Sequence, residues 1–497
     1  MPALTVKYHL DIPTPSLNNN KGDIDRINAS LERASGLRRI HWPLSLLGSI
    51  SGTLWLPSNQ ITITAAHDGD RLRVIAVDPG DTTSSHFGLA IDLGTTVVAA
   101  ELIDIRTGQC LAAPSEVNGQ IEYGEDLLTR LHFAGQGDVD ALRMALINTV
   151  NQLINRACGI AGIDPSHISA VCAAGNTTMT HLFLGLDPSH MRQEPFIPII
   201  NHVPILTSGE LGLEIAPLAQ TYIFPSAGSF LGGDLIAGSL AARMLDHDEI
   251  TLLLDIGTNG EMILGNKDWL LAGAGAAGPA LEGGVAECAR RAEPGAIERV
   301  KIDPATLEPS YSVIGDISPI GLCGSGLVDV IAQLYLAGLL DATGRFILDK
   351  DTNRWRTVNG RTVYMLAEAD SASDLPATYI TEKDIQNVLR TKAAVVAALT
   401  ILLDSVGLAV SDIQRVYTAG SFGVHLAVDS AIAIGLYPKL PTDRFVSLGN
   451  GSLRGAREIL LNAEKIEEAC QIADKITYLE LNVHPGFMEI FRSAKYI

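Results

Sequence analysis

Residues 89–98 read Leu-Ala-Ile-Asp92-Leu-Gly94-Thr95-Thr96-Val-Val, and residues 252–261 read Leu-Leu-Leu-Asp255-Ile-Gly257-Thr258-Asn259-Gly260-Glu261. Each is an apolar strand ending in Asp, then one apolar residue, Gly-Thr and a second polar turn residue. Such a turn suits phosphate: glycine lets backbone N–H groups approach oxygen atoms closely, and the Thr hydroxyls add donors. The Asp at the strand end can hold Mg2+ through water or orient an attacking nucleophile. One copy is also what a plain hairpin looks like. Two copies about 160 residues apart, each leading into a second strand-like stretch, point to a duplicated phosphate clamp. Asp92 and Asp255 are therefore the candidate catalytic and metal-holding residues, and Gly94, Thr95, Thr96, Gly257, Thr258 and Asn259 the candidate phosphate contacts.

Residues 416–425, Val-Tyr-Thr-Ala-Gly420-Ser421-Phe422-Gly423-Val-His425, again run from an apolar strand into a glycine turn. Two glycines three apart let a flat base and ribose lie against bare backbone. Beside the paired loops, Gly420, Ser421 and Gly423 read as an adenosine-binding turn; alone they would read as an ordinary β–α turn. Gly324 and Ser325 precede a helix-like segment, and a helix N-terminus is a ready anion site, although Gly-Ser-Gly is also a common loop. Cys323 beside them reads as a buried small hydrophobe in preference to a redox thiol. Asn176-Thr177-Thr178 either caps a helix or lines the site, and Gly232-Gly233-Asp234 is open in the same way. His181, His425 and His484 are isolated and lack metal-ligand spacing.

The chain has 497 residues, 47% hydrophobic and 19% charged, with 36 Lys+Arg against 56 Asp+Glu and a net charge of −20. At this length folding hides roughly three-quarters of the unfolded surface, enough for a large core without disulfide or metal staples. Two or three domains are expected. The acidic balance argues against nucleic acid and anionic membrane surfaces as partners. Met1-Pro2-Ala3-Leu4-Thr5 has no signal-peptide pattern, apolar runs such as Ala393–Leu403 fall short of a membrane span, and six cysteines are scattered without a CxxC pair. The expectation is a cytoplasmic protein with reduced thiols and no iron–sulfur cluster in this chain.

Residues 1–85 read as a small α+β domain, with β-rich stretches at 52–56, 60–65 and 71–77, closed by the turn-rich segment 78–85. Beyond it, strand-like segments at 87–92, 97–105, 168–173, 252–255, 261–264 and 416–419 alternate with helix-like ones at 126–133, 139–158, 234–245, 326–337 and 381–406. That alternation implies α/β layers, divided as 1–85, 86–249 and 250–497. Thr381-Glu-Lys-Asp384 is a capping-box start.

Together the three turns resemble the superfamily of actin, sugar kinases, acetate kinases and heat-shock chaperones, which implies a two-lobed α/β ATPase fold around an ATP cleft. Over nearly all of residues 86–497 the chain more closely resembles the ATPase part of the reductive activators of corrinoid enzymes. The matching stretches are Asn118-Gly-Gln120-Ile-Glu-Tyr-Gly124-Glu-Asp126, Ala174-Gly175-Asn176-Thr177-Thr178-Met179-Thr-His181, Ala277-Gly278-Pro279-Ala280-Leu-Glu282-Gly283, Arg291-Ala-Glu-Pro294-Gly295-Ala-Ile-Glu298, Gly321-Leu-Cys323-Gly324-Ser325-Gly326 and Ala419-Gly420-Ser-Phe422-Gly423. The resemblance implies ATP and Mg2+, an ATPase that helps return cobalt in a corrinoid methyl-transfer protein from Co(II) to Co(I), that corrinoid protein as partner, and a homodimer. Members commonly carry a four-cysteine [2Fe–2S] ferredoxin domain ahead of this region. Here Cys110 is the first cysteine, and residues 1–85 resemble only the small domain that follows the ferredoxin. The implied electron donor is therefore separate, such as a ferredoxin, unless that domain was cut away. Gly273-Ala274 stands where the resemblance leads one to expect Cys-Ser in a loop facing nucleotide or partner. On the residues alone, a small-molecule kinase and a nucleotide-gated partner-binding module stay open.

Overall fold

In the computed structural model, residues 2–18, 20–54, 59–124, 126–257, 260–275, 286–350, 352–369, 375–420, 426–481 and 484–497 are described. The strand Phe87–Leu93 turns back into Val97–Asp104, which sets Asp92 opposite Ala99. Thr251–Ile256 turns back into Gly260–Gly265, which sets Asp255 opposite Glu261.

A similar sheet is built around each hairpin. The first has the order Leu206–Thr207, Gln220–Ile223, Ile168–Gly175, Phe87–Leu93, Val97–Asp104, Cys110–Ala112. Its strands Gln220–Ile223, Ile168–Gly175 and Phe87–Leu93 are mutually parallel, and the remaining pairings are antiparallel. The second runs Phe445–Gly449, Arg415–Ala419, Thr251–Ile256, Gly260–Gly265, Leu270–Gly275, Ile476–Tyr478. There too the first three are parallel and the next two pairings antiparallel, with a parallel strand added at the far edge. Ile168–Gly175 is buried along its whole length, which explains its unbroken apolar reading.

One long helix covers the antiparallel side of each sheet. Val139–Ala161 packs on Val97–Asp104 and Cys110–Ala112, and Glu382–Ser405 packs on Gly260–Gly265 and Leu270–Gly275. The second helix starts at the expected capping box: the Asp384 amide donates to Thr381 Oγ1 at 3.1 Å, and the Thr381 amide donates to Asp384 Oδ2 at 3.0 Å. The helix Gly233–Ala241 is shorter than the expected 234–245, because the chain leaves it through Arg243 in a left-handed conformation (φ 54).

The N-terminal sheet has the order Val6–Asp11, Gln60–Asp68, Arg71–Pro79, Arg39–His41, with helices Asp23–Ser35 and Leu44–Leu54. The expected β-rich stretch 52–56 is corrected here: residues 52–54 close the helix Leu44–Leu54, and 55–56 lie outside the described residues. Ile50 and Leu54, four apart, bury one helical face, at 2% and 3% exposure. A second correction concerns Gly273-Ala274, which lie in the strand Leu270–Gly275 and not in a loop. An added Cβ at Gly273 would meet Leu481 and Leu402, so that position belongs to packing.

The chain divides into two compact units, residues 1–241 with 452–474, and residues 242–451 with 475–497. Residues 452–474 thus return to the first unit from within the C-terminal half of the chain. No helix among the described residues is long and apolar enough to cross a membrane.

Candidate functional site

The first turn is held from behind. Asn118 donates from Nδ2 to the Gly94 carbonyl (2.9 Å) and from its amide to the Thr96 carbonyl (2.9 Å). Arg130 donates from Nη1 to the Thr95 carbonyl at 2.7 Å. Three successive carbonyls of the turn are thus tied back by Asn118 and Arg130. Gly94 is required by close approach, since a Cβ there would lie 2.1 Å from the Val97 carbonyl oxygen. Asn176 resolves its open reading in both directions: its Oδ1 caps the helix Thr177–Leu184 by accepting from the Met179 amide (2.9 Å), and its Nδ2 donates to Thr95 Oγ1 (3.0 Å).

Gly232 packs against the backbone of Asn176, which brings the start of the helix Gly233–Ala241 to this place. Asp234, in the first turn of that helix, carries a carboxyl pushed up to about 6, chiefly by burial, with the Asp92 charge acting in the same direction. The residue keeps some accessible surface, but its carboxyl is closely surrounded. A carboxylic acid held near neutrality beside a second carboxylate can accept a proton without being permanently charged.

The second unit arranges its acids differently. Asp255 and Glu261 stand directly opposite on adjacent antiparallel strands, so both side chains emerge on one face. Ala419 pairs with Asp255 on the parallel side, as Ala174 does with Asp92. Gly420 follows with φ +87, and a Cβ there would come within 2.7 Å of Asp255 Oδ1. Tyr437 is nearby; burial raises its hydroxyl pKa, with the Asp255 charge adding to the effect.

The structure thus groups Asp92, Gly94, Thr95 and Thr96 in one unit, and Asp255, Gly257 and Gly420 in the other. Thr258, Asn259, Ser421 and Gly423 lie outside the described residues, as do His425 and residues 277–283. Gly324 and Ser325 open the helix Gly324–Leu336 and are buried; the Ser325 hydroxyl lies 3.2 Å from Cys323 Sγ. Cys323 is 2% exposed and faces the Ile297 carbonyl. His181 is a core residue whose ring bridges the Thr177 carbonyl and the Ile199 amide. Sequence reasoning gave no role to Arg130 and Glu261 and left Asp234 undecided. Glu261 was within reach of it, because a hairpin closing around Gly257-Gly260 puts residue 261 across from residue 255.

Comparison with known proteins covers almost the whole chain. Residues 1–84 match the RACo linker region, 87–247 the RACo middle region, and 249–497 the C-terminal domain of RACo, the ASKHA domain. The chain is 35% identical over 415 residues to the corrinoid activation enzyme RamQ of Eubacterium limosum, spanning 82% of this chain and 69% of that protein. It is 24% identical over 420 residues to the [Co(II) methylated amine-specific corrinoid protein] reductase of Methanosarcina barkeri, spanning 79% and 73%. A solved structure of a reductive activator for corrinoid, iron-sulfur protein superposes with a TM-score of 0.93 at 38% identity, covering 100% of this chain and 79% of that one.

Proposed function

We propose a function for this chain on one premise: it belongs to the RACo family, with that family's linker, middle and ASKHA regions in order. It binds and hydrolyses ATP and uses the turnover to activate a corrinoid methyl-transfer protein by reduction from Co(II) to Co(I). Electrons come from a separate low-potential donor such as a ferredoxin.

The observation that carries the hydrolytic part is Asp234, raised to about 6 beside Asp92 and next to the braced Gly94–Thr96 turn. Above that pH its ionised carboxyl takes the proton of the attacking water, while Asp92 orients the water. The turn amides, the Thr95 and Thr96 hydroxyls, and Gly257, Thr258 and Asn259 hold phosphate oxygens. Gly324, Ser325, Gly420, Ser421 and Gly423 complete the nucleotide contacts in this reading.

Magnesium fits the residues present. Asp92 in the one unit and Asp255 in the other, with Glu261 directly across from Asp255, each offer hard carboxylate oxygens that would hold such an ion. In nucleotide sites Mg2+ needs only one or two carboxylates besides phosphate oxygens, so a convergence of three ligating side chains is not required. Bound there, the ion would neutralise charge building on the phosphates.

Moving a two-state equilibrium from 1:99 to 99:1 takes about 5.5 kcal/mol of differential binding. For one electron at ~59 mV per tenfold, that is roughly 240 mV.

The test mixes the protein with a cognate corrinoid protein in the Co(II) state, a low-potential reductant and Mg-ATP, following Co(I) absorbance and phosphate release together. Co(I) should appear only with hydrolysable ATP, in step with phosphate. Phosphate release without Co(I) under any of these conditions would sink the activator reading. The Asp234 carboxyl would serve a substrate hydroxyl as well as water, and this favours a small-molecule kinase as the second reading. Phosphate found on an added acceptor instead of free in solution would select it.

A further inference from the structure

Arg130 lies on the helix Leu127–Ala134 and is 0% exposed. Its Nε donates to the Gly124 carbonyl at 2.9 Å, and its Nη1 to the Thr95 carbonyl at 2.7 Å and Gln120 Oε1 at 3.2 Å. Its Nη2 is buried with no hydrogen-bond partner among the described residues. Asp126 is the opposite charge acting on the guanidinium, but its oxygens are taken by the Thr129 amide (2.8 Å) and hydroxyl (3.1 Å). Burial lowers the Arg130 pKa to about 10, which leaves the group charged at neutral pH. A buried cation with no ion-pair partner among the described residues is costly to hold. Here the cation is fastened to the carbonyl side of a turn whose three successive carbonyls accept from Asn118 and Arg130.

We propose that Arg130 is the positioning residue of this turn, that the phosphates of a bound nucleotide supply its missing counter-charge, and that it thereby makes the site select polyphosphate over nucleoside. This rests on reading the Gly94–Thr96 turn as phosphate-binding. The guanidinium acts in two ways: its bond to Thr95 fixes which way the amides point, and its charge, unscreened by water, favours an anion on the far side.

Calorimetric titration of the full chain with ATP, ADP and adenosine, at low and high salt, tests this on the wild type, Arg130→Gln and Arg130→Lys. In Arg130→Gln, ATP and ADP should bind at least twentyfold more weakly, adenosine within twofold of wild type, and the salt dependence of ATP binding should flatten. A role in folding alone would weaken all three ligands together, and that result overturns the proposal, as does ATP affinity within twofold of wild type. If Arg130→Gln does not fold, Arg130→Lys decides. It keeps the charge but not the forked donor, so ATP should weaken at least fivefold with adenosine unchanged; equal affinities for both ligands as in wild type overturn the assignment. Absence of ATP binding by the wild type would refute the phosphate reading of the turn itself, a failure distinct from that of Arg130.

Discussion

The two Asp-x-Gly-Thr stretches follow strands of similarly ordered sheets and differ in what surrounds each aspartate. Around Asp92 the second carboxylate arrives from a helix, at Asp234, and holds a proton up to about pH 6. Around Asp255 it stands on the next strand, at Glu261. The first turn has its carbonyls tied back by Asn118 and Arg130. In the second unit, the backbone of Gly420 leans on the Asp255 carboxylate itself. Duplicated topology therefore does not mean duplicated chemistry. On the proposed reading Asp234 manages a proton beside Asp92, because burial raises its carboxyl, and Asp255 with Glu261 directly across offers oxygens to the cation.

The sharpest way to break this contrast is Asp234→Asn. ATP turnover should fall by about 10²- to 10³-fold, the usual weight of a general base, with ATP affinity nearly unchanged. The wild-type rate should rise through about pH 6, and the variant should lose that rise. A variant that retains both rate and pH profile would move proton acceptance elsewhere.

The same carboxyl has a stability consequence. Its folded pKa lies above the unfolded value, so the stability it contributes is complete below about pH 4 and is lost as pH rises through about 6. Relative to wild type, Asp234→Asn should gain on the order of 3 kcal/mol between those limits, at about 1.36 kcal/mol per pKa unit. Denaturation curves at pH 4 and pH 7 measure it; a constant difference would contradict the assignment.

The glycines should rank in a fixed order. Gly94→Ala forces a Cβ against a backbone oxygen and should cost about 2–3 kcal/mol. Gly420→Ala meets a carboxylate that can swing aside, which leaves mainly the left-handed backbone cost of about 1–2 kcal/mol. A reversal of that order in urea titrations would mean that the Asp255 carboxylate is held as rigidly as main chain. Smallest of all, Glu261→Gln should raise the Mg2+ concentration for half-maximal turnover by roughly tenfold, the scale of losing one supporting group at a metal. An equal shift in Asp234→Asn would erase the division of labour.

Much of this was legible in the sequence, for identifiable reasons. The paired hairpins followed from apolar runs ending in Asp and Gly. The Thr381 helix start followed from local hydrogen bonding, which needs only four residues. The parallel strand orders and the kinship of Ala174-Gly175 with Ala419-Gly420 did not, because crossover connections leave no local pattern. Arg130 was illegible for the same reason: its bonds reach Thr95, 35 positions away, and an Arg on a short amphipathic helix reads as a solvated residue. Residues 52–54 were misread because Gly, Ser and Thr hide a helical spacing that only Ile50 and Leu54 reveal. Asp234 gave a signal, Gly-Gly-Asp before an apolar helix, that a helix cap produces equally well.

The return of residues 452–474 to the first unit sets an order of events during synthesis. About 210 residues separate Ala241 from Ser452, which at 5–20 residues per second is roughly 10–40 s of translation. Until then the strand Phe87–Leu93 lacks Leu460, the side chain that crowds the Cα of Gly88, and the Leu4 amide lacks the Leu460 carbonyl it will bond at 3.0 Å. The first unit to leave the ribosome is thus the one that must wait, with its apolar flank open, for a helix made after nearly the whole of the other unit. A nascent chain halted before residue 452 would present that flank to chaperones; the released chain carrying residues 452–474 would not.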